Sequence, residues 1–244
     1  MATTQSLDVV REHAGSNDLI GGLPVSTLDR LLARARTKRL ERQDQVFDVG
    51  QPLAWVYFPT TTVISLLTVL RDGSAIETAT VGREGMVGVP VFLGDDHIAS
   101  CRGVTQMQGV AIQVSVATFL DELDQSVELR EHVSQYTRTL LVQISQSVAC
   151  GTAHDVRQRL ARWLLQTSDR ARRDEVDLTQ QFLAHILHVR RASVTEAAGS
   201  LQEDGLIRVR RGGLKIVNRE GLTRAACECY GVVADQFLGL LKDA

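Results

Sequence analysis

The sequence predicts an α+β chain: an N-terminal, jelly-roll-like β-roll, then a long helix, then a C-terminal winged helix-turn-helix. Three observations predict it. Short apolar runs punctuated by glycine fill residues 44–115. No Pro or Gly interrupts Ser126 to Cys150. Residues 178–217 read as helix, turn, helix and β-hairpin.

Residues 25–43 read as a helix, with Leu28, Leu31 and Leu32 at helical spacing. Val56-Tyr57-Phe58 reads as a strand ended by the breaker Pro59. Val63–Leu70 and Ala75–Val81 flank Asp72-Gly73, which is a hairpin signal. Glycines recur at 82, 85, 88, 94, 103 and 109, the rhythm of short strands and tight turns. Ser126 caps the next helix and Glu128 suits the positive end of its dipole. Its stripe, Val133, Thr137, Leu140, Ile144 and Ser147, is the expected dimer interface, widened by Leu141 and Val148. That face can serve a partner helix on one side and the β-domain on the other.

Val156–Thr167 continues as helix, with Leu160, Trp163 and Leu164 inward, and Asp169–Asp177 reads as a loop. Thr179 is the expected N-cap of a short helix carrying Phe182, Leu183, Ile186 and Leu187. His188-Val189-Arg190 breaks the run. A second helix, from Arg190 or Arg191, buries Val194, Ala197, Ala198 and Leu201 and stops at Asp204-Gly205. Leu206–Val209 and Leu214–Val217 form the hairpin. The C-terminal segment reads as one helix with the stripe Leu222, Ala226, Cys229, Val233 and Phe237. That pattern makes Cys229 core and Cys227 more exposed.

The expected organisation is an arm at 1–22, the sensor roll at 23–122, the dimerisation helix at 123–153, the winged domain at 154–219 and a terminal helix at 220–244. The 244 residues hold 27 Lys and Arg against 29 Asp and Glu, a net charge of −2. The charge is uneven: Val156–Arg219 carries 13 basic and 7 acidic residues. A basic segment in an acidic chain suggests a face for a polyanion. No apolar run reaches the ~20 residues of a membrane span, and the N-terminus lacks a secretory h-region, so the expectation is a cytoplasmic protein without membrane contact. Cys101, Cys150, Cys227 and Cys229 are scattered, with no CxxC pair and no second cluster to complete a zinc site, so they read as reduced structural thiols; no metal site and no cofactor is expected. No HExxH, GxSxG or phosphate-loop pattern occurs, so the chain does not read as an enzyme.

The second helix of the winged segment turns Arg190, Arg191, Ala192, Thr195 and Glu196 away from its buried stripe. An arginine at a helix start can reach guanine O6 and N7 through two parallel hydrogen bonds. Arg208, Arg210, Arg211 and Lys215 on the hairpin suit phosphates. The predicted partner is double-stranded DNA.

Leu178-Thr179-Gln180, Leu183-Ala184, Val189, Arg191, Val194, Leu201 and Asp204-Gly205-Leu206-Ile207 resemble the helix-turn-helix signature of the Crp/Fnr regulators. Arg159–Leu165 resembles that family's lead-in helix, and Phe47–Pro52 with Val56–Phe58 resembles the opening of its cyclic-nucleotide-binding β-roll. The resemblance covers roughly 20–219. It implies a homodimer held by the long helix, an inverted-repeat operator, an effector sensed in the roll, and RNA polymerase as a further contact.

Two departures stand out. The family's best-known activators read DNA with Arg, Glu and a second Arg four residues later; here those positions hold Arg191, Ala192 and Glu196. Its cyclic-nucleotide pocket uses Gly-Glu for the ribose and Arg-Ser for the phosphate. Here Gly82–Pro90 is the counterpart, and aligning Gly88 puts Val89 at the Glu, Ala99 at the Arg and Ser100 beside it. A cyclic phosphate without a guanidinium loses its main charge-assisted contact. In a shifted register, Glu84 beside Gly85, together with Arg102, takes over. The iron–sulfur members carry an N-terminal cysteine cluster, and residues 1–50 contain no Cys. His97 has no partner to hold haem iron and reads as a surface residue rather than a haem ligand, and a redox role for Cys227 and Cys229 stays open. The alternative function is a cyclic-nucleotide- or redox-responsive module acting mainly through a protein partner.

Overall fold

The computed structural model describes residues 7–94 and 97–242; the start of the expected arm and the last two residues of the expected terminal helix lie outside them. The arm is not a separate tail from residue 7 on. Helices α1 (Leu7–Ala14) and α2 (Asp18–Gly21) bury Val10, Ala14, Leu19 and Ile20 in the roll's core. Asn17 between them is fully buried, and its side chain donates to the carbonyls of Pro59 and Gly85.

Helix α3 (Val25–Ala33) ends ten residues before the expected boundary. The charged run beyond it is strand β1 (Arg36–Leu40), paired with β7 from Arg36↔Gln113 to Leu40↔Gly109. A run of cations reads as a helix's wet face, but here it is an edge strand, where charged side chains discourage further pairing. Arg36 lies over the Trp55 ring, 4.4 Å from its centroid.

Strands β2 (Gln45–Phe47), β3 (Trp55–Pro59), β4 (Val63–Val69), β5 (Ala75–Val81), β6 (Arg102–Met107) and β7 (Gly109–Ser115) complete the roll, with the short helix α4 (Pro90–Leu93) between β5 and β6. They form two antiparallel sheets, β1-β7-β3 and β2-β6-β4-β5. Pro59 is the last residue of β3, not a breaker beyond it. The strand lies at a sheet edge, where a missing N–H is tolerated. The β4–β5 hairpin turns at Asp72-Gly73: Gly73 takes φ +85°, and the Asp72 carboxylate accepts from the Ser74 amide and hydroxyl.

Helix α5 (Val116–Gln125) straddles the expected 122/123 boundary and leads into α6 (Val127–Ala153). Its 27 residues make a rod of about 40 Å. Ser126 caps it, accepting from the Leu129 amide at 3.1 Å and donating to Glu128.

Helix α7 (Val156–Ala171) runs into the segment expected to be a loop and ends at Arg172, which is left-handed. The remainder holds strand β8 (Glu175–Val176). Two residues are too short to announce themselves in sequence, yet Val176 is fully buried against Leu214. Helices α8 (Gln180–Ile186) and α9 (Arg191–Glu203) and strands β9 (Ile207–Arg210) and β10 (Gly213–Ile216) follow, in a sheet ordered β8-β10-β9. Leu160, Trp163, Leu164, Leu183, Ile186, Val194, Ala198, Leu201, Ile207 and Leu214 form this domain's own core. The expected single terminal helix is two, α10 (Arg219–Ala225) and α11 (Cys229–Lys242), broken at 226–228. The break turns Cys227 inward, so it is buried, contrary to expectation.

Candidate nucleic-acid interface, effector pocket and dimer face

The Thr179 hydroxyl accepts from the Phe182 amide at 3.2 Å and fixes the start of α8. The turn passes through His188 at φ +51°, and Arg190 is the N-cap residue of α9. Arg190, Arg191, Ala192, Thr195 and Glu196 are all exposed. Among the described residues neither Arg190 nor Arg191 has an ion-pair partner. At the N-terminus of α9 two uncompensated guanidiniums thus add to the positive end of a helix dipole. Thr195 donates to Gln180 at 2.8 Å, locking α9 against the start of α8.

The hairpin divides its four cations. Arg208 and Arg211 are exposed and have no ion pair among the described residues. Arg210 pairs with Asp177 and with Glu175, and Lys215 pairs with Glu175 at 3.0 Å. Two of the four expected phosphate contacts are therefore already ion-paired in the free chain, with Glu175 of β8 and the adjoining Asp177. The tip is the two-residue turn Arg211-Gly212, with Gly212 at φ +80°. The sequence reading missed Gln202, whose side chain accepts from the Val209 amide at 2.7 Å and ties α9 to the hairpin. It also missed Arg157, which bonds Ser200 and Asp204 and anchors the far end of α9 on α7.

The effector positions of the roll are mostly consumed by packing. Met86, Val87, Val89 and Ala99 are core residues, and Ser100 is exposed. Gly88 takes φ +116°. Gly85 has no room for a side chain, because the Tyr136 ring of α6 fills that space while its hydroxyl donates to the Met86 carbonyl at 3.0 Å. Neither rescuing residue is free. Arg102 pairs with Asp48 at 2.8 Å, and this contact holds the Asp48 carboxyl below its usual range. Glu84 is buried, accepts from the Gly82 amide and pairs at 2.7 Å with Arg170 of α7. Arg170 also donates to Gln143 at 2.8 Å, and Gln143 donates to the Thr80 carbonyl at 3.0 Å. The expected ligand carboxylate instead links the roll to the lead-in helix of the winged domain.

A second link is Glu77 of β5, which accepts from Ser65 at 2.5 Å and from the Trp163 ring at 2.9 Å. Loss of hydration around its carboxyl pushes its pKa up to about 7, against the pull of these two donors and of Arg162 and Arg170.

The expected dimer stripe is also largely spent. Val133, Thr137 and Leu140 are buried in the chain's own fold, and Ser147 donates to the Gln143 carbonyl. Ile144 is half-buried beside the same core. Beyond Val127 at its first residue, the large apolar side chains that α6 leaves exposed among the described residues are Leu141, 57% exposed, and Val148, 64% exposed. They lie on one face with Ser134, Arg138, Ser145 and Thr152 at alternating spacings of four and three. Helix α11 packs on another side of α6.

The cysteines are not scattered in space. Cys150, Cys227 and Cys229 are buried together and meet His154. The spacings that could have revealed this are Cys150-x-x-x-His154 and Cys227-x-Cys229; neither is a CxxC. Cys101 stands apart.

Residues 158–225 match the family of Crp-like helix-turn-helix domains. No curated protein sequence matches the chain. Several solved structures share the fold. FixK2 from Bradyrhizobium japonicum superposes with a TM-score of 0.67 at 15% identity, over 79% of this chain and 98% of that one. A CRP-family transcriptional regulator of Thermus thermophilus gives 0.64 at 19% identity, over 78% and 96%. The c-di-GMP-responsive regulator CLP of Xanthomonas campestris gives 0.63 at 19% identity, over 79% and 99%. Among the described residues no helix is long and apolar enough to cross a membrane. Residues 158–225 thus form a Crp-like helix-turn-helix domain, and the described chain as a whole shares the fold of these solved regulators.

Proposed function

We propose that the chain is a sequence-specific DNA-binding transcription regulator that acts as a homodimer on an inverted-repeat operator. The observation that carries this reading is the pair of uncompensated arginines, Arg190 and Arg191, at the exposed start of α9. Arg191 is the base-reading residue, able to take guanine O6 and N7 together. Arg190, Arg208 and Arg211 are the phosphate contacts; Thr195 and Glu196 face the groove and set the remaining preference. The presence of Ala192 and Glu196 makes the operator differ from one read by two arginines four residues apart. Dimerisation is assigned to the free face of α6 centred on Leu141 and Val148, with Ile144 at its margin. With Val89 and Ala99 in the core and Glu84 and Arg102 already paired, the roll is assigned no cyclic-nucleotide ligand. Selection of bound fragments from genomic DNA, followed by mobility-shift titration of the recovered sequence, tests the reading. Recovery of one inverted repeat supports it; binding that is equal for all fragments overturns it.

A further inference from the structure

Cys150 closes the last turn of α6, and His154 is the C-cap residue just beyond it. Cys227 sits in the break between α10 and α11, and Cys229 is the first residue of α11. The four ligand atoms, three Sγ and one imidazole nitrogen, all lie within 4.8 Å of one another. Cys150 and Cys227 are 3.5 Å apart at sulfur, and Cys229 Sγ is 3.6 Å from His154 Nδ1. A tetrahedral zinc ion with Zn–S near 2.3 Å and Zn–N near 2.0–2.1 Å sets S···S at about 3.8 Å and S···N at about 3.6 Å. These two distances are close to the edges around one ion, and the other ligand atoms lie within 4.8 Å of them. They leave no room for a polynuclear cluster, whose sulfurs spread around several metal atoms.

The surroundings fit the same reading. His154 Nε2 is 3.0 Å from Glu228 Oε2, so a proton held there leaves the Nδ1 lone pair facing the sulfurs. A carboxylate behind an imidazole is the usual support of a zinc-binding histidine. Gln146 Nε2 donates to Cys229 Sγ at 3.1 Å, as to a thiolate. Zn²⁺ with three thiolates carries a net charge of −1. Arg162 is buried without an ion-pair partner among the described residues.

We propose that Cys150, Cys227, Cys229 and His154 bind one zinc-class divalent ion. Each thiol that binds gives its proton to solvent as its sulfur lone pair enters the metal bond; nothing is oxidised. The ion clamps the α10–α11 break to the α6–α7 joint, where His154 caps one helix and Asp155 begins the next. Occupancy therefore fixes the angle at which α7 and the winged domain leave the long helix.

The test is a Co²⁺ titration of the reduced, chelator-treated full chain under anaerobic conditions. The expected result is one equivalent per chain, intense tetrahedral ligand-field bands with thiolate charge transfer, and stoichiometric displacement by Zn²⁺. Structural zinc sites predict a zinc Kd below about 50 nM. Cys227→Ser and His154→Gln should each weaken binding by about 100-fold, whereas Cys101→Ser should leave it unchanged. Hydrogen exchange at 150–156 should slow on loading. A weak octahedral spectrum, or no saturation in the reduced wild-type chain, overturns the proposal without reference to any variant. Iron with acid-labile sulfide, or tight binding retained by the Cys227 variant, overturns it as well.

Discussion

Glu77 gives stability a pH dependence of unusual sign. Its carboxyl end is enclosed by Ser65 and Trp163, and its pKa is moved from an ordinary 4.5 to about 7. A folded-state pKa above the unfolded one means that the folded chain holds the proton more tightly. The stability this adds is fully present below about pH 4.5 and is lost as pH rises through about 7. The difference between those values corresponds to about 3 kcal/mol; because the side chain is partly exposed, about 2 kcal/mol is the better expectation. Asp48, Asp72, Glu128, Glu175 and Glu228, with lowered pKa values, act in the opposite sense and at lower pH. His154, raised by its partners, overlaps the Glu77 window, so the measurement is a difference curve. Urea unfolding of the wild type and of Glu77→Gln should be compared from pH 4.5 to 8. Glutamine keeps the shape and an acceptor for Trp163. The variant should gain on the wild type by about 2 kcal/mol across that range. A difference that is flat, or that favours the wild type as pH rises, refutes the argument that desolvation dominates.

Three further outcomes follow from the site. Arg191→Ala should weaken operator binding by about 1–3 kcal/mol and relax one base position; equal weakening on random DNA in the same mobility-shift assay would reduce Arg191 to a phosphate contact. Leu141→Lys should dissociate the dimer, since each copy of an exposed leucine buried in a seam contributes roughly 1.5–3 kcal/mol; an intact dimer in sedimentation would move the interface off this face. Cyclic AMP and cyclic GMP should give no saturable isotherm below about 10 μM, and binding at about −7 kcal/mol would mean that Glu84 leaves Arg170 or Arg102 leaves Asp48 to meet the ligand.

What was legible in the sequence depended on periodicity and on local chemistry. The winged domain was readable because Thr179, the Val194–Leu201 stripe and Gly205, which takes φ +71°, are local signals that the tertiary fold only confirms. Strand β1 was not readable, because Arg36–Leu40 has one inward apolar residue and its partner strand is some seventy residues away. The stripe expected to form a dimer interface is covered by the chain's own fold. Periodicity reports that Val133 and Leu140 are buried, not whether their cover is a second chain or the chain's own roll. The ion pairs of the two hairpin cations were not legible for a related reason: Glu175 and Asp177 come to Arg210 and Lys215 only through the pairing of β8 with β10. The cysteine cluster depends on a helix break and on a fold that joins positions 77 residues apart.

The contacts between the roll and α7 bear on how the two halves can communicate. Glu84–Arg170 and Glu77–Trp163 each place a roll carboxyl against α7, and Gln106 faces Thr167 at 3.4 Å on the same helix. Removing one partner of a buried ion pair leaves an uncompensated charge and costs about 3–5 kcal/mol. Movement of α7 off the roll must therefore take Glu84 and Arg170 into water or to new partners together. Glu84 and Gly85 are adjacent: one holds Arg170, and the other gives the Tyr136 ring of α6 its seat. A change of conformation in the loop at 82–88 therefore acts on the long helix and the lead-in helix together. The same loop is filled by the core side chains Met86 and Val87, so its packing and its contacts to both helices are set together.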